Sequence, residues 1–436
     1  MNFRESEAYL YSLGNEVFAM KLGLENIRKL LAALGNPQKN YLKVQVAGTN
    51  GKGSVCAFLD SICRAAGIRT GMTTSPHLIS VTERVKIDGE DITQEGFAAL
   101  ATRVRQVSED LVNRGDLETV PTYFEQVTAI ALLAFVEANV ELAILETGLG
   151  GRLDATTAAD AEIAAITRID LDHQQYLGDT IGEIAAEKAA IIHEYSAVAV
   201  GAQPKEAIRV IADRCAQFGI TPVTGTESND WKIAVDEAGK VKLDTHRAIY
   251  REVKLGLEGR HQIENAQVAL SVAQILKYAF GIAIDDENLI VGLEKAVHQG
   301  RLECIGKFLL DGAHNVNAAR ALRAYLDEFV PHPIALVFGA MRDKDVGRIA
   351  SILFPKAASL ILTAPANSRA LSPDDLVRFV PAALPRERLS VCRTAADAVS
   401  KAVALSPPEG IIVVTGSLYL VGEVRELLSR DAEAKI

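Results

Sequence analysis

The stretch "LKVQVAGTNGKGSVCAFLDSICRAAG", residues 42–67, constrains the fold more than any other part of the sequence. A short run rich in β-branched residues ends in a glycine-rich loop, and apolar residues at helical spacing follow as far as Gly67. A glycine-rich loop between a buried strand and a helix lets backbone N–H groups approach phosphate oxygens, and the helix dipole favours the negative charge. The stretch therefore predicts an α/β fold with a phosphate-binding loop.

The loop departs from the standard pattern at one position. Gly53 stands between Lys52 and Ser54, whereas Ser or Thr ordinarily follows the lysine directly. In a phosphate loop, Lys52 would neutralise the terminal phosphates and the Ser54 hydroxyl would hold Mg²⁺. The alternative is a glycine-rich turn with a solvated lysine.

Strand and helix patterns alternate along both parts of the chain. In the first part, the predicted strands are "RTGMTTSP", "VELAILETG" and "AEIAAITRID", and "FEQVTAIALLAFVEAN" and "TIGEIAAEKAAIIH" are predicted helices. A second alternating series contains the predicted strands "CIGKFLLDGAHN", "PIALVFGAM", "ASLILTAP", "RLSVCRT" and "GIIVVTGS". Alternation of this kind predicts mostly parallel sheets with helices on both faces. We expect two α/β domains, 1–297 and 298–436, with a small antiparallel appendage at 225–258 around "EAGK".

Composition narrows the class of protein. The net charge of −10 gives no indication of binding to nucleic acid or to an anionic membrane, although a local site can still be positive. Charges occupy the N-terminal region where an export signal needs an apolar core, and the most apolar stretch, "VTAIALLAFV", is too short to span a bilayer. The five cysteines are scattered without a CxxC pair, so we expect reduced packing residues in a cytoplasmic protein. Cys56 and Cys63, one heptad apart, fit two buried positions on one helix face.

Oxygen-bearing side chains follow successive predicted strands. Ser75 ends "TGMTTS", Glu146 ends "ELAILE", and Asp170, Asp172 and His173 follow "AEIAAITRI". The carboxyl ends of parallel strands meet at the ligand crevice, so these side chains could meet the phosphate loop. Each also has a simpler interpretation: a turn for Ser75, caps for the two aspartates, and an ordinary loop residue for His173.

Two further features allow two interpretations each. Lys188 lies in an Ala/Ile-rich helix, where a solvent-facing charge is the usual arrangement. The glycines of "GLGGRLDATT", Gly148, Gly150 and Gly151, indicate close approach of the backbone to a ligand, or a plain tight turn.

Taken in order, ten motifs resemble one family. They are "VAGTNGKGS", "SPHLISVTERVKIDG", "TYFE", "LETGLGGRLDAT", "LDH…YLGDTIGEIAAEKAAII", "GRHQIENAQVAL", "GRLE", "LDGAHN", "DKD" and "VVTGS". Together they are similar to the folylpolyglutamate synthase/dihydrofolate synthase family of the Mur ligase superfamily. In that family, a glycine between the loop lysine and Ser/Thr is the normal form.

The resemblance implies an N-terminal P-loop ATPase domain with a mostly parallel sheet and a smaller C-terminal Rossmann-like α/β domain. It implies that ATP is cradled by Thr49, Asn50, Gly51, Lys52, Gly53 and Ser54, and is contacted by Asn265, Arg301, Asp311 and His314. Two Mg²⁺ ions would be held by Ser54, Ser75, Glu146, His173 and a carbamylated Lys188. The residues implied in catalysis are Lys52, Glu146, His173 and Lys188.

The resemblance also implies a pterin site. Its residues would be Lys21 and Leu22 in "MKLGL", Thr122 and Phe124 in "TYFE", and Leu153, Asp154 and Ala155. For Leu22 and Phe124, ordinary packing is the alternative. The sequence departs from the family at Gln174, Thr157 and Ala190. We expect these changes to touch the substrate rim more than the metal ligands.

The implied reaction joins L-glutamate to dihydropteroate, or to the γ-carboxylate of folate glutamate tails, through an acyl phosphate. The chain contains no GxSxG motif and no Cys–His pair suited to nucleophilic catalysis, and this reaction needs neither. The alternatives are a monofunctional folylpolyglutamate synthase, a sister Mur-type amino-acid ligase, an ATP-dependent switch and a simple P-loop kinase. "MKLGL" and "TYFE" favour the bifunctional enzyme. We expect a monomer whose partners are its small substrates.

Overall fold

The computed structural model describes residues 1–14, 23–224, 239–245, 247–382 and 384–433, with side chains as far as residue 430. Lys21 and Leu22, two of the predicted pterin contacts, lie outside these residues. The chain forms two compact units. One comprises Met1–Gly256 and Gln262–Val297, and the other comprises Leu257–His261 and His298–Ile436.

The first unit contains an eight-stranded sheet. Its strands are β1 (Leu42–Ala47), β2 (Thr70–Thr73), β3 (Lys86–Ile87), β4 (Glu90–Asp91), β5 (Leu142–Glu146), β6 (Ile163–Ile166), β7 (Ala197–Val200) and β8 (Val223–Thr224). They lie in the order β4-β3-β2-β5-β1-β6-β7-β8. The pairs from β2 to β8 are parallel, and β3 and β4 pair antiparallel at one edge.

The central strand β1 is buried at every position after Leu42. Strands covered on both faces read as continuous apolar runs, and polar residues within them need partners. Gln45 has three: its Nε2 donates to the hydroxyls of Thr147, Thr156 and Thr157 at 3.2, 2.9 and 2.8 Å. This network ties β1 to the loop that follows β5.

Helices cover both faces of the sheet. They are α1 (Phe3–Ser12), α2 (Glu25–Ala33), α3 (Lys52–Ala65), α4 (Gln94–Asn113), α5 (Tyr123–Glu137), α6 (Gln174–Leu177), α7 (Ile181–Ala189) and α8 (Lys205–Gln217). The most apolar stretch of the chain forms α5, which is buried over most of its length. In the described part of the chain, no helix combines the length and apolarity needed to cross a bilayer. Cys56 and Cys63 in α3 are both fully buried, as their spacing predicts.

The first unit continues with β9 (Val241–Asp244), β10 (Ile249–Val253) and α10 (Asp286–Lys295), and it includes α9 (His261–Ala279) from Gln262 onward. Strands β9 and β10 form a separate antiparallel pair. The sequence predicts a turn at "EAGK", and the first half of that turn lies outside the described residues.

The second unit contains a six-stranded sheet. Its strands are β11 (Glu303–Ile305), β12 (Phe308–Leu310), β13 (Ile334–Phe338), β14 (Ser359–Leu362), β15 (Leu389–Val391) and β16 (Ile411–Thr415). Its helices are α11 (Val316–Phe329), α12 (Val346–Leu353), α13 (Pro373–Leu376), α14 (Ala395–Leu405) and α15 (Leu418–Glu433). The strand order is β11-β12-β16-β13-β14-β15, parallel from β12 onward.

The predicted fold class is confirmed, with one local difference. The sequence predicts one strand in "CIGKFLLDGAHN", but the structure has the antiparallel pair β11 and β12. Gly306 lies between them with φ of 59°, in the left-handed region that glycine tolerates, so the chain reverses there.

Candidate active site

Two glycines shape the loop that joins β1 to α3. Gly51 caps α3 with φ of 88°. A Cβ atom on Gly51 would lie 2.1 Å from Oδ1 of Asn265, and one on Gly48 would lie 1.8 Å from Oγ1 of Thr167. The Asn265 amide is itself held, because its Nδ2 donates to Oε1 of Gln262 at 2.8 Å. Both glycine positions therefore exclude a side chain, and Asn265 lies directly against the loop.

Gly53 is the second residue of α3 and has an ordinary helical conformation. The backbone therefore does not require glycine at this position. The amides of Lys52, Gly53 and Ser54 belong to the first helical turn, which offers them no intrahelical acceptor. Without a side chain at Gly53, an anion can approach these amides closely.

The segment after β6 holds the loop from one side. The backbone amides of Thr49 and Asn50 donate to the carbonyl of Arg168 at 3.0 and 3.3 Å. The Thr49 hydroxyl donates to the carbonyl of Asp170 at 2.9 Å, and the Thr167 hydroxyl donates to the carbonyl of Asn50 at 2.8 Å. The amides of Thr49 and Asn50 are thus used within the protein. We expect the first turn of α3 to supply the phosphate-binding amides.

Two lysine ammonium groups meet at the start of the loop. Lys52 Nζ donates to the carbonyls of Gly48 and Thr49 at 3.1 and 3.5 Å, and Lys188 Nζ donates to the carbonyl of Gly48 at 2.8 Å. Lys188 is buried, so the solvent-facing interpretation of this residue is wrong. Burial, followed by the charge of Lys52, lowers the pKa of Lys188 to about 7, partly offset by Asp172.

Oxygen donors lie at the carboxyl ends of β2 and β5. Glu146 is the last residue of β5, and its Oε2 accepts a hydrogen bond from the Ser75 amide at 3.0 Å. The Ser75 hydroxyl is buried, and it has no hydrogen-bond partner among the residues that the structure describes. Ser54 is buried in the first turn of α3. An orphaned hydroxyl beside a carboxylate is the oxygen chemistry that Mg²⁺ prefers, so these residues fit such an ion.

His173 caps α6 with φ of 51°. Its amide donates to Oδ1 of Asp172 at 2.8 Å, and its Nε2 lies 3.9 Å from the same oxygen. Across the described ranges, no three His, Cys, Asp or Glu side chains are arranged to hold a metal ion. The predicted ligand set contains only two residues of these types, Glu146 and His173. Its other members are hydroxyls and a lysine, so coordination by His173 stays a prediction.

The two residues predicted from "TYFE" both have structural roles within the protein, one as a helix cap and one in packing. The Thr122 hydroxyl donates to Oε2 of Glu125 at 2.8 Å, as part of the cap of α5. The Phe124 ring lies against Gly148, where a Cβ atom would be 2.8 Å from the ring. The protein's own atoms also fill the space beside Gly151, where a Cβ atom would be 2.6 Å from a backbone carbonyl. Internal packing therefore accounts for these two glycines without a ligand.

Asp154 organises the loop that follows β5. It is buried, and its carboxylate accepts backbone hydrogen bonds from Thr156 at 3.0 Å and Leu149 at 2.9 Å. Burial raises the pKa of Asp154, and the hydrogen bond from the Thr156 hydroxyl, followed by those from backbone amides, partly offsets the effect. Ala155 is also buried, whereas Leu153 is half-buried. Among these three predicted pterin contacts, Leu153 is the most accessible.

One departure from the family pattern lies deeper than expected. Thr157 is buried, and its hydroxyl donates to the carbonyl of Gly151 at 2.7 Å while accepting from Gln45. The expectation that this change touches the substrate rim is therefore wrong, because Thr157 belongs to the network beneath the loop. Gln174 is exposed and Ala190 is half-buried.

In the second unit, three predicted residues lie near the carboxyl end of β12. Asp311 follows the strand directly, and its carboxylate accepts two backbone hydrogen bonds, both at 3.0 Å. Burial raises the pKa of Asp311, partly offset by the charge of Arg301. Nδ1 of His314 lies 2.8 Å from the carbonyl of Gly312.

Sequence reasoning missed three residues that hold the loop: Thr167, Arg168 and Gln262. The first two follow β6 immediately, so the strand-end argument that singled out Asp170 could have included them. Gln262 precedes Asn265 by three residues on α9, which places the two side chains on one helix face.

Two family models match the chain. The Mur ligase middle domain matches residues 46–273, and the glutamate ligase domain of Mur ligases matches residues 300–418. A probable bifunctional folylpolyglutamate synthase/dihydropteroate synthase of Haloferax volcanii is 35% identical, covering 100% of this chain and 51% of that protein. A second such protein, from Halobacterium salinarum, is covered over 52% of its length, so the chain spans about half the length of these two relatives.

Other relatives match over their whole length. A dihydrofolate synthase/folylpolyglutamate synthase of Bacillus subtilis is 32% identical, covering 98% of this chain and 99% of that protein. A bifunctional folylpolyglutamate synthase/dihydrofolate synthase of Yersinia pestis was solved with AMPPNP and a Mn ion. It superposes with a TM-score of 0.85 at 28% identity, covering 98% of each chain. The chain therefore belongs to the folylpolyglutamate synthase/dihydrofolate synthase family of the Mur ligases.

Proposed function

We propose that the protein is an ATP-dependent ligase that adds L-glutamate to dihydropteroate and to the γ-carboxylate of folate glutamate tails. The observation that carries this proposal is the meeting of Lys52 and Lys188 at the Gly48 carbonyl, beside the first turn of α3. A phosphate loop alone suits many nucleotide-binding proteins. A second, buried lysine at the same carbonyl, with its pKa lowered to about 7, suits a site where a lysine carbamate adds a carboxylate ligand beside the loop.

The chemistry follows from the poor electrophilicity of a carboxylate. A carboxylate oxygen of the acceptor attacks the γ-phosphorus of ATP, ADP leaves, and an acyl phosphate forms. The glutamate amine then attacks the acyl carbon, phosphate leaves, and the nitrogen loses a proton to give the amide. Lys52 would leave the Gly48 carbonyl to offset charge on the transferring phosphoryl group. No protein nucleophile takes part.

The metal-binding part of the proposal rests on Ser54, Ser75 and Glu146, with His173 and a carbamylated Lys188 completing two Mg²⁺ sites. When bound, the ions would neutralise phosphate charge and orient the reacting oxygens. The buried, unpartnered hydroxyl of Ser75 supports this assignment. The lowered pKa of Lys188 supports its carbamylation, because only a neutral amine adds to CO₂.

The proposal assigns residues 1–297 to the ATPase domain and 298–436 to the ligase domain. Asn265, Arg301, Asp311 and His314 would contact the nucleotide. We further propose a monomer, since one chain supplies all residues of the loop region. A cytoplasmic location fits its five unpaired cysteines.

A coupled ADP-release assay tests the function. Dihydropteroate and tetrahydrofolate are compared, each with L-glutamate, and the proposal expects ADP release with both. Release with only one substrate would indicate a monofunctional enzyme. Release only with a peptidoglycan precursor and another amino acid would indicate a sister Mur ligase. Phosphate release that needs neither a carboxylate nor an amino acid would indicate an ATP-dependent switch.

A further inference from the structure

The sheet stops beside the segment that holds the phosphate loop. Strand β7 ends at Val200, and the amide of Gly201 still donates to the carbonyl of Ile166 at 2.9 Å. The chain then turns away and begins α8 after Pro204. Among the residues that the structure describes, no strand continues the ladder beside residues 167–169 on that side.

The side chain of Gln203 takes the place of the absent strand. Its Nε2 donates to the carbonyl of Thr167 at 2.8 Å, and its Oε1 accepts from the amide of Ile169 at 2.9 Å. A primary amide carries a donor and an acceptor like those of a peptide group, so one side chain can satisfy both. Gln203 thus fixes the backbone on each side of Arg168.

Arg168 is the residue whose carbonyl accepts the amides of Thr49 and Asn50. The Thr167 hydroxyl, on the same fixed segment, also bonds to the carbonyl of Asn50. Gln203 therefore reaches the loop through two successive hydrogen bonds. The first joins Gln203 to residues 167–169, and the second joins that segment to Thr49 or Asn50. A shift of residues 167–169 would move the loop and, with it, the start of α3.

We propose that Gln203 is a positioning residue for nucleotide binding, acting through residues 167–169 on the phosphate loop. This inference rests on the proposed function, because it takes the loop to be the site for ATP. In this proposal, Gln203 acts through its hydrogen bonds to Thr167 and Ile169. Its effect is to keep the amides of the first turn of α3 in place for phosphate oxygens.

The test is calorimetric titration of the full chain with ADP in the presence of Mg²⁺. Gln203→Leu removes both hydrogen bonds, which are partly buried, and should weaken ADP binding about tenfold. Gln203→Glu keeps the acceptor for Ile169 but sets a carboxylate oxygen against the carbonyl of Thr167, so it should also weaken ADP binding. The KM for ATP should rise with the dissociation constant of ADP, whereas the KM for L-glutamate should stay unchanged.

Gln274→Leu is the matched control. Gln274 is a glutamine of the first unit that also makes a side-chain hydrogen bond: it is buried, and its Nε2 donates to the Thr245 hydroxyl at 2.8 Å, away from the loop. This variant should lose stability but bind ADP normally. Unchanged ADP binding by Gln203→Leu, or by Gln203→Glu if the first variant does not fold, would overturn the inference. Failure of the wild-type protein to bind ADP would instead contradict the proposed function.

Discussion

Lys52 and Lys188 donate hydrogen bonds to one shared acceptor, the carbonyl oxygen of Gly48, at 3.1 and 2.8 Å. Two ammonium groups on one oxygen repel each other, and the positive charge of Lys52 contributes to the lowered pKa of Lys188. A carbamate on Lys188 would replace this repulsion with attraction. The position of the Lys52 ammonium should therefore depend on whether Lys188 carries a carbamate.

Removing the Lys52 ammonium should abolish the reaction without unfolding the protein. Lys52→Ala takes away the loop's own cation, and we expect glutamate-dependent ADP release to fall by about a hundredfold or more. A coupled ADP-release assay and circular dichroism measure the two properties. Lys254→Ala, at an exposed lysine, is the control and should behave as wild type. Near-normal turnover by Lys52→Ala would refute the role of Lys52.

Lys188 should carry a carbamate when CO₂ is present. Protein equilibrated with ¹³C-bicarbonate should show a carbamate carbon signal by NMR, and Lys188→Ala should not. Since the pKa of Lys188 is lowered to about 7, its amine is mostly neutral above that pH and protonated below it. The signal and the activity should both weaken as the pH falls from 8 to 6. A signal that persists in Lys188→Ala would place the carbamate on another amine.

The Ser75 hydroxyl should matter for metal binding and not for stability. Because this hydroxyl has no hydrogen-bond partner in the described part of the protein, Ser75→Ala removes no internal bond and should leave the melting temperature nearly unchanged. The Mg²⁺ concentration needed for half-maximal ADP release should rise about tenfold, as expected on losing one ligand.

Two variants complete the metal experiment. Glu146→Gln keeps an acceptor for the Ser75 amide but loses the charge, and should raise the Mg²⁺ requirement further. Ser108→Ala is the control, since its hydroxyl donates to the Val104 carbonyl at 2.7 Å within α4. An unaltered Mg²⁺ dependence in both Ser75→Ala and Glu146→Gln would argue against a metal at this position.

His77 should make the protein less stable in acid. Its Nδ1 accepts a hydrogen bond from Nε of Arg84 at 2.8 Å, which requires the neutral ring. Burial, followed by the charge of Arg84, lowers the pKa of His77 from 6.5 to about 3. Between these values the unfolded chain binds a proton that the folded chain does not, so stability falls as the pH drops from 6.5 towards 3.

Urea unfolding at pH 7, 6 and 5 measures this dependence. His77→Gln should be less stable than wild type at pH 7, and the difference should shrink at lower pH. His332→Gln, at an exposed histidine, should leave the slope unchanged. An equal slope for wild type and His77→Gln would show that His77 does not titrate in this way.

Much of the site follows from local sequence. Strand periodicity places Ser75 and Glu146 at the ends of β2 and β5, and topology then brings such ends to one edge of a parallel sheet. The glycine-rich loop likewise lies between β1 and α3 as predicted. These results hold because periodicity and turn residues act over a few positions of the chain.

The burial of Lys188 could not be predicted in the same way. Helical spacing predicts on which face of a helix a residue lies. It does not predict how deeply the end of a long side chain is buried. Only packing brings its amine to Gly48, 140 residues away in sequence. Thr157 is a similar case, because its partner Gln45 lies on β1.

The sequence by itself determined the α/β class, the position of the phosphate loop and the strand ends that surround it, since each depends on the local pattern of apolar, glycine and oxygen-bearing residues. The tertiary structure alone decided which groups hold that loop. Arg168, Asn265 and Gln203 reach it or its support through hydrogen bonds between distant segments. Such bonds depend on distances that no local pattern encodes.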